Sequence, residues 1–276
     1  MNTTAIQIRS LKKTFRTGFL RKEMQALRGL DLDVPQGCLF GFLGPNGAGK
    51  TTTIKILVGL LRPDAGEAAL FGQPVQRVAA RKRISYLPEL PDFYDYLNPV
   101  ELLVHCGHLS GLDRKKTLAK IPALLERVGL DPADRRQVRK FSKGMMQRLG
   151  LAQAMLPDPE LLILDEPLTG LDPLGRRFFK DLILDLGRQG KTVFFSSHVL
   201  ADAQAICHSV AFLQKGKIIT QGSLSALLKQ HADTWEILVD GMAVRDDAEV
   251  KRLAADIQPA GEDTLLIPAA EGRSFT

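Results

Sequence analysis

The sequence predicts an α/β fold built on a parallel sheet, with an antiparallel β edge, an inserted helical subdomain and a small C-terminal α+β tail. Three observations predict it. Cys38–Leu43 is a nearly continuous apolar run that suits a strand buried on both faces, as strands in helix-covered parallel sheets are. Sheet-type character returns at Leu161–Asp165, Thr192–Ser196 and Val210–Leu213, with helical periodicity in between. From Asn98 to Leu156 the pattern turns mostly helical, so a helical block at about residues 90–156 sits inside the α/β order.

Taken in order, Ile6 and Ile8 alternate with polar residues, as do Leu30, Leu32 and Val34, which suggests strands with one exposed face. Pro35, Gln36 and Gly37 form a turn into Cys38–Leu43. A glycine-rich loop then opens a helix over Thr51–Leu61, where Ile54, Leu57, Val58 and Leu61 recur at helical spacing. Arg62-Pro63-Asp64 closes that helix, and Gly66–Gly72 returns as a short strand. In the helical block, Leu102, Leu103, Cys106 and Leu109 make one stripe and Ile121, Leu124, Leu125 and Val128 another. A further helix is expected around Arg176–Leu186. Val210–Leu213, Lys215-Gly216-Lys217 and Ile218–Thr220 read as a hairpin at the antiparallel edge. After Leu228 the character changes: Trp235–Val239 and Thr264–Ile267 look like strands flanking a helix at Asp247–Ile257. The expected division is therefore a main domain over 1–228 and a tail subdomain over 229–276.

Composition narrows the class. An apolar share of 45% and a charged share of 25% are those of an ordinary soluble globular protein. The longest purely aliphatic run, Leu161–Leu164, is far short of the ~20 apolar residues that a membrane-spanning helix needs. The N-terminus lacks the basic start and apolar run of a secretory signal. Cys38, Cys106 and Cys207 are far apart and outside any metal-binding spacing, so they read as small core residues in a reducing cytosol. A net charge of +6 is compatible with an anionic partner or with a plain solvated surface. The basic clusters are not interleaved with aromatics as in single-strand binders, and no nucleic acid is expected.

Gly44-Pro45-Asn46-Gly47-Ala48-Gly49-Lys50-Thr51 fits G-x-x-x-x-G-K-[ST], the P-loop, and marks a P-loop NTPase core. Glycines let the backbone curl so that successive N–H groups face a polyphosphate, and the helix opening at Lys50 adds the positive end of its dipole. Lys50 is placed for the β- and γ-phosphates of ATP, Thr51 supplies a hydroxyl to Mg²⁺, and Thr52 completes the cradle. The alternative is a glycine turn with a solvated lysine, which a strand before and a helix after disfavour. Asp165 and Glu166 follow the Leu161–Leu164 run, at the carboxyl end where parallel sheets place ligands. Asp165 is expected to hold Mg²⁺ through water, and Glu166 to orient or deprotonate the water that attacks the γ-phosphate. An acidic turn capping a buried strand is the alternative.

At this point a specific resemblance emerges. Phe141-Ser142-Lys143-Gly144-Met145 resembles the signature motif L-S-G-G-Q of ABC-type ATPases, just ahead of the Asp165-Glu166 strand. Gly170-Leu171-Asp172 resembles the family's D-loop and Ser196-Ser197-His198 its switch-histidine region, and Phe15 stands where the family stacks an aromatic ring on adenine. The resemblance runs from Ile6 to Gly222.

It implies two ATP molecules sandwiched between two protomers, a homodimer or a pair with a paralogous ATPase. Ser142, Gly144 and Asp172 would approach the nucleotide held by the other protomer, and His198 would act with Glu166 at the γ-phosphate. The alternative for Ser142 is an ordinary helix N-cap. Three departures stand out: Glu89 where the family often has glutamine near Mg²⁺, Lys143 and Met145 inside the signature, and Phe15 without the hydroxyl of tyrosine. Tyr86-Leu87-Pro88-Glu89 with the signature variant resembles bacterial subunits serving drug, polysaccharide, lipid and sodium export permeases. The resemblance thus implies an ATP-hydrolysing motor, cytoplasmic and peripheral on the inner face of the cell membrane, driving a separate integral-membrane permease. Tyr94 and Tyr96, on the segment from Glu89 to Pro99, either plug the core or anchor that permease. A competing class, ABC-type ATPases of DNA repair or the ribosome, resembles longer chains with coiled-coil insertions or two fused motors. A kinase or GTPase would lack the signature and the Ser197-His198 element.

Overall fold

A computed structural model of the chain describes residues 4–17, 22–230, 234–238, 258–259 and 264–268. The chain divides into two compact units, Met1–Gln221 and Gly222–Thr276.

The first unit opens with two long strands, β1 (Thr4–Thr17) and β2 (Lys22–Pro35), paired antiparallel with several register shifts. Next come β3 (Leu39–Leu43), α1 (Lys50–Leu57), β4 (Ala65–Leu70) and the short β5 (Gln73–Pro74). A single-turn α2 (Val78–Arg81) leads into β6 (Ile84–Leu87). The helical block follows as α3 (Pro99–Leu109), α4 (Arg114–Arg127), a 3-10 turn at Val138–Lys140 and α5 (Lys143–Met155). The α/β order then resumes with β7 (Leu161–Leu164), α6 (Pro173–Arg188), β8 (Thr192–Ser197), α7 (Leu200–Ile206), β9 (Ser209–Gln214) and β10 (Lys217–Ser223).

Two sheets frame the core. The larger has the order β10-β9-β3-β8-β7-β6, and its pairs from β9 through β6 are all parallel. The smaller has the order β2-β1-β4-β5 and is antiparallel. Between them lies a cluster that includes Ile6, Ile8, Leu30, Leu32, Phe40, Phe42, Ile54, Leu57 and Phe194. β3, β7 and β8 are buried along their whole length, which is why they read as continuous apolar runs rather than alternating ones. β10 returns from β9 through Lys215 and Gly216, both at positive φ (48° and 77°), the backbone of a tight hairpin turn.

Three elements depart from the sequence expectation. α1 stops at Leu57, not Leu61, because Gly59 (φ 77°) adopts the left-handed conformation. Its N–H and that of Leu60 then bond back to the carbonyls of Ile56 and Lys55, closing the helix. Leu109 falls on the apolar stripe of α3 by spacing yet is 72% exposed at the end of that helix. β6, in a stretch to which the sequence pattern assigns no element, makes a full edge strand of the parallel sheet. α3 starts where it does because Asn98 and Glu101 form a reciprocal capping box, with Pro99 at the first helical position.

The second unit contains α8 (Leu224–Gln230) and a three-stranded sheet of β11 (Thr234–Leu238), β12 (Gln258–Pro259) and β13 (Thr264–Pro268), in the order β11-β13-β12. The helix expected at Asp247–Ile257, and Val239, lie outside the described residues. Among the described residues no helix is long and apolar enough to cross a membrane. The three cysteines are free, and burial pushes each thiol up, as suits small packing residues.

Candidate functional site

The phosphate loop is the connection Gly44–Gly49 between β3 and α1. Two backbone contacts suspend it. The N–H of Gly44 donates to the carbonyl of Ser197 (3.2 Å), and the carbonyl of Ala48 accepts from Gly216 N–H (2.9 Å). Gly216, at the hairpin tip, in turn accepts from Arg28 N–H of β2 (2.9 Å), so the loop is held between both sheets. This closeness explains the glycines. At Gly49 (φ 114°) a Cβ would stand 2.8 Å from the Ala26 carbonyl oxygen and 2.9 Å from Leu27 Cδ2. At Gly44 it would collide with the Leu213 carbonyl. Only glycine fits both the conformation and the space.

Lys50, the first residue of α1, is 6% exposed. Its ammonium donates to the carbonyls of Gly44 (2.7 Å) and Pro45 (3.3 Å) and lies 3.1 Å from Glu166 Oε1. That last contact is an ion pair whose angle makes no hydrogen bond, so Oε1 is a buried oxygen without a hydrogen-bond partner among the described residues. The other oxygen, Oε2, accepts from Thr169 Oγ1 (3.3 Å) and lies 2.9 Å from His198 Nδ1. Glu166 therefore sits between the loop lysine and the histidine. It does so in a backbone conformation uncommon for a side-chain-bearing residue, φ 47°.

Asp165, the residue after β7, is buried, and its Oδ1 accepts from Ser196 Oγ (2.7 Å) and Thr51 Oγ1 (3.4 Å). Burial pushes its carboxyl up, while the Ser196 and Thr51 hydroxyls pull it back. The carboxyl ends of β3, β7 and β8 thus bring Lys50, Thr51, Asp165, Glu166 and His198 to one place, as doubly wound sheets do. Lys50, Thr51 and Glu166 open on a cleft of about 240 Å³, which Asp165 and His198 do not line. Asn46, Gly47, Gly49, Lys50, Thr51 and Thr52 form its floor, with Glu166 and the exposed Glu89 on one side. Met24, Gln25 and Ala26 of β2 form a wall that sequence reasoning missed. Phe15 is not among the lining residues; it pairs in register with Met24, and Lys13 Nζ lies 5.8 Å from its ring centroid.

Ser142, Gly144 and Asp172 are elsewhere. They line a separate groove of about 370 Å³, together with Lys143, Gly170 and Leu171. Ser142 is the N-cap of α5, accepting from Met145 N–H (3.3 Å), and Asp172 is the N-cap of α6, accepting from Gly175 N–H (2.7 Å). The N-cap reading of Ser142 is thus realised, and its hydroxyl proton is still free to donate. Two helix N-termini open on this groove, and the Lys143 side chain lies over Gly170. A third cavity of about 100 Å³, partly open to solvent, lies behind Glu166 and His198. It is bordered by buried Asp202, which binds Arg176 (2.7 Å) and Lys180 (2.8 Å) of α6. Thr169 and Asp202 were not singled out from sequence, and Ser196 only as part of the Ser196-Ser197-His198 resemblance; a hydroxyl in a turn and a lone acid on a short helix carry no distinguishing pattern.

Among the described residues no cluster of three or more His, Cys, Asp or Glu could alone hold a metal ion. Thr51 and Asp165 offer a pair of hard oxygen donors instead, which fits Mg²⁺ completed by phosphate and water.

Comparison with known proteins supplies the family. A profile of the ABC transporter family matches residues 27–169. An ABC transporter ATP-binding protein of Nostoc sp. is 44% identical over 255 residues, 88% of this chain and 76% of that protein. The Nod factor export ATP-binding protein I of Paraburkholderia xenovorans is 36% identical over 252 residues, 90% and 81% of the respective chains. Among solved structures, the ATP binding subunit of an ABC transporter aligns with a TM-score of 0.72 at 29% identity, over 83% of this chain and 93% of that one. A dimeric ATP-binding cassette bound to ADP and Pi shares the fold, with a TM-score of 0.72 at 20% identity over 79% and 98%.

Proposed function

We infer, from the premise that this chain belongs to the ABC transporter family as an ATP-binding subunit that hydrolyses ATP, that it drives a separate membrane permease as one half of a dimer. One observation carries this reading. The chain has two phosphate-ready surfaces, the Lys50 cleft and the Ser142–Asp172 groove, and they are distinct. A second copy, or a paralogous ATPase, presents its Ser142 hydroxyl, its Gly144 backbone and its D-loop Asp172 to the ATP lying in the Lys50 cleft. Each helix N-terminus at that groove favours an anion.

Within the cleft, Gly44, Pro45, Asn46, Gly47, Ala48 and Gly49 wrap the phosphates, and Lys50, Thr51 and Thr52 extend that cradle into α1. Thr51 and Asp165, with Glu89 from the facing loop, would hold Mg²⁺, which when bound would neutralise phosphate charge. Glu166 orients and deprotonates the attacking water, and His198 fixes the Glu166 carboxylate from the far side. ATP draws Lys50 away from Glu166, so the same event that binds the phosphates releases the base. Phe15, beside Met24 in the ladder, offers its ring to the adenine.

On this reading the permease docks on the segment between β6 and α3. There Tyr94 is 54% exposed and Tyr96 60%, their rings 6.0 Å apart, and Tyr94 packs edge-on against His105 of α3. Two exposed tyrosines are not a core plug; exposed aromatics on a loop suit an interface anchor. The same loop carries Glu89 into the cleft, which links partner to nucleotide. Export is the favoured direction, supported by the Nod factor export relative. The subunit then sits on the cytoplasmic face of the membrane, held by the permease. Tyr94→Ala with Tyr96→Ala is expected to leave basal ATPase activity within about twofold while weakening permease capture and coupled transport. Co-purification and vesicle uptake assays read this out, and unchanged assembly and transport would move the docking site elsewhere.

The tail from residue 229 onward is assigned to dimer contact or regulation, because every phosphate-facing residue precedes it. A 1–228 truncation is expected to bind ATP with about the affinity of the full chain, measured by calorimetry. Lost binding in a folded truncation would refute that division.

A further inference from the structure

We propose that Ser196 is a positioning residue for hydrolysis, its single hydroxyl fixing both the Asp165 side chain and the Glu166 backbone. Ser196 is 0% exposed in β8, one residue beyond the Leu164–Phe195 register pair, and so lies across from Asp165. Its Oγ donates to Asp165 Oδ1 at 2.7 Å and accepts from Glu166 N–H at 2.9 Å. A hydroxyl has one proton. Because that proton is engaged by a carboxylate, the oxygen is oriented to receive the amide, and the two bonds define each other.

The consequences differ for the two acids. Asp165 Oδ1 takes both the Ser196 and the Thr51 hydroxyls, which leaves Oδ2 as the oxygen available to a cation. Glu166 holds a left-handed backbone, φ 47°, a conformation that an L-residue keeps only when its surroundings over-determine it. The Ser196 bond is one such restraint, and Thr169 N–H to the Glu166 carbonyl (3.1 Å) is another. Without the hydroxyl, the Glu166 amide is buried and unsatisfied, and the residue relieves this by leaving the left-handed region. Its carboxylate then no longer points between Lys50 and His198. Ser197, the next residue of β8, cannot take over because its side chain points to the opposite face of the sheet, where its Oγ accepts from Val199 N–H (3.0 Å).

This inference rests on the roles proposed for Asp165 and Glu166, and the test separates the two. Ser196→Val and Ser196→Thr have nearly the same volume and differ in the hydroxyl. In the nucleotide-free protein, amide hydrogen exchange at Glu166 is expected to speed up at least ~10-fold in Ser196→Val and stay near wild type in Ser196→Thr. ATP turnover should fall at least ~10-fold in Ser196→Val, with ATP affinity within about threefold, and recover in Ser196→Thr. Ser196→Ala, which adds no bulk, is expected to behave like Ser196→Val and decides the matter if the larger residues disturb β8. Wild-type exchange and turnover in the variants lacking the hydroxyl, or equal losses in Ser196→Thr, would overturn the proposal. If Glu166→Gln itself keeps full turnover, the catalytic assignment fails while the exchange measurement still reports on Ser196.

Discussion

Glu166→Gln is expected to lower ATP turnover at least ~100-fold while leaving ATP binding intact, the scale of a lost base and positioning group. Glutamine keeps the shape of the side chain and can still accept from Thr169, so the local fold survives. It cannot take a proton from water. It also removes the charge that faces the Lys50 ammonium at 3.1 Å in the nucleotide-free site. Lys50 is then easier to recruit to phosphate, and ATP affinity should be equal to or higher than wild type. The variant should accumulate as an ATP-bound dimer, visible by light scattering with ATP and absent without it. Single-turnover kinetics alongside calorimetry separates chemistry from binding, and a near wild-type rate would remove Glu166 from the catalytic assignment.

Lys50→Ala is expected to act on the other side of that division. ATP affinity should fall by ~10- to 100-fold, in line with one charge-assisted hydrogen bond at about 1.5–3 kcal/mol. A second effect follows from the burial of the pair. Removing the cation leaves Glu166 inside the protein with only its contacts to Thr169 and His198. Breaking a buried ion pair from one side typically costs ~3–5 kcal/mol, and the remaining contacts put the expected loss at or below the lower end. The double substitution Lys50→Ala with Glu166→Gln should therefore be more stable than Lys50→Ala alone. Chemical denaturation of all four proteins measures that coupling directly. Additive losses would mean that the 3.1 Å contact contributes nothing to the nucleotide-free fold.

Both substitutions fall on residues that were legible without coordinates, and the reason is physical. The phosphate loop needs glycines at fixed spacing because β2 and the β9–β10 hairpin approach it closely. Asp165 and Glu166 follow a strand buried on both faces, which forces an uninterrupted apolar run just before them. What stayed hidden depends on pairing across space. β6 is a four-residue edge strand whose first three residues, Ile84, Ser85 and Tyr86, are only half-buried, so it carries no apolar run. β1 and β2 extend well past Ile8 and ahead of Leu30 through residues of mixed character, so alternation marks only part of each. Met24 reaches the cleft because a fourteen-residue strand carries it there, and nothing local to Met24 reports that. Ser196 bonds across strands to residues thirty positions away, a relation no local pattern encodes. The signature segment shows the converse. The resemblance implies that Ser142 and Asp172 approach a nucleotide, and only the structure shows that within one chain they line a groove separate from the Lys50 cleft.

The suspension of the phosphate loop between Ser197 and Gly216 bears on the thermodynamics of nucleotide capture. A free glycine-rich loop would lose on the order of 1–2 kcal/mol of backbone entropy for each residue ordered around a phosphate. Here the ordering is done when the chain folds, because the Gly216 amide holds the Ala48 carbonyl and Arg28 holds Gly216 in turn. Preorganisation of this kind raises affinity without adding a contact to the ligand. Gly216 is not among the residues that line the cleft, so loosening the hairpin tip is expected to appear as an entropic penalty on ATP binding with the enthalpy of the phosphate contacts unchanged.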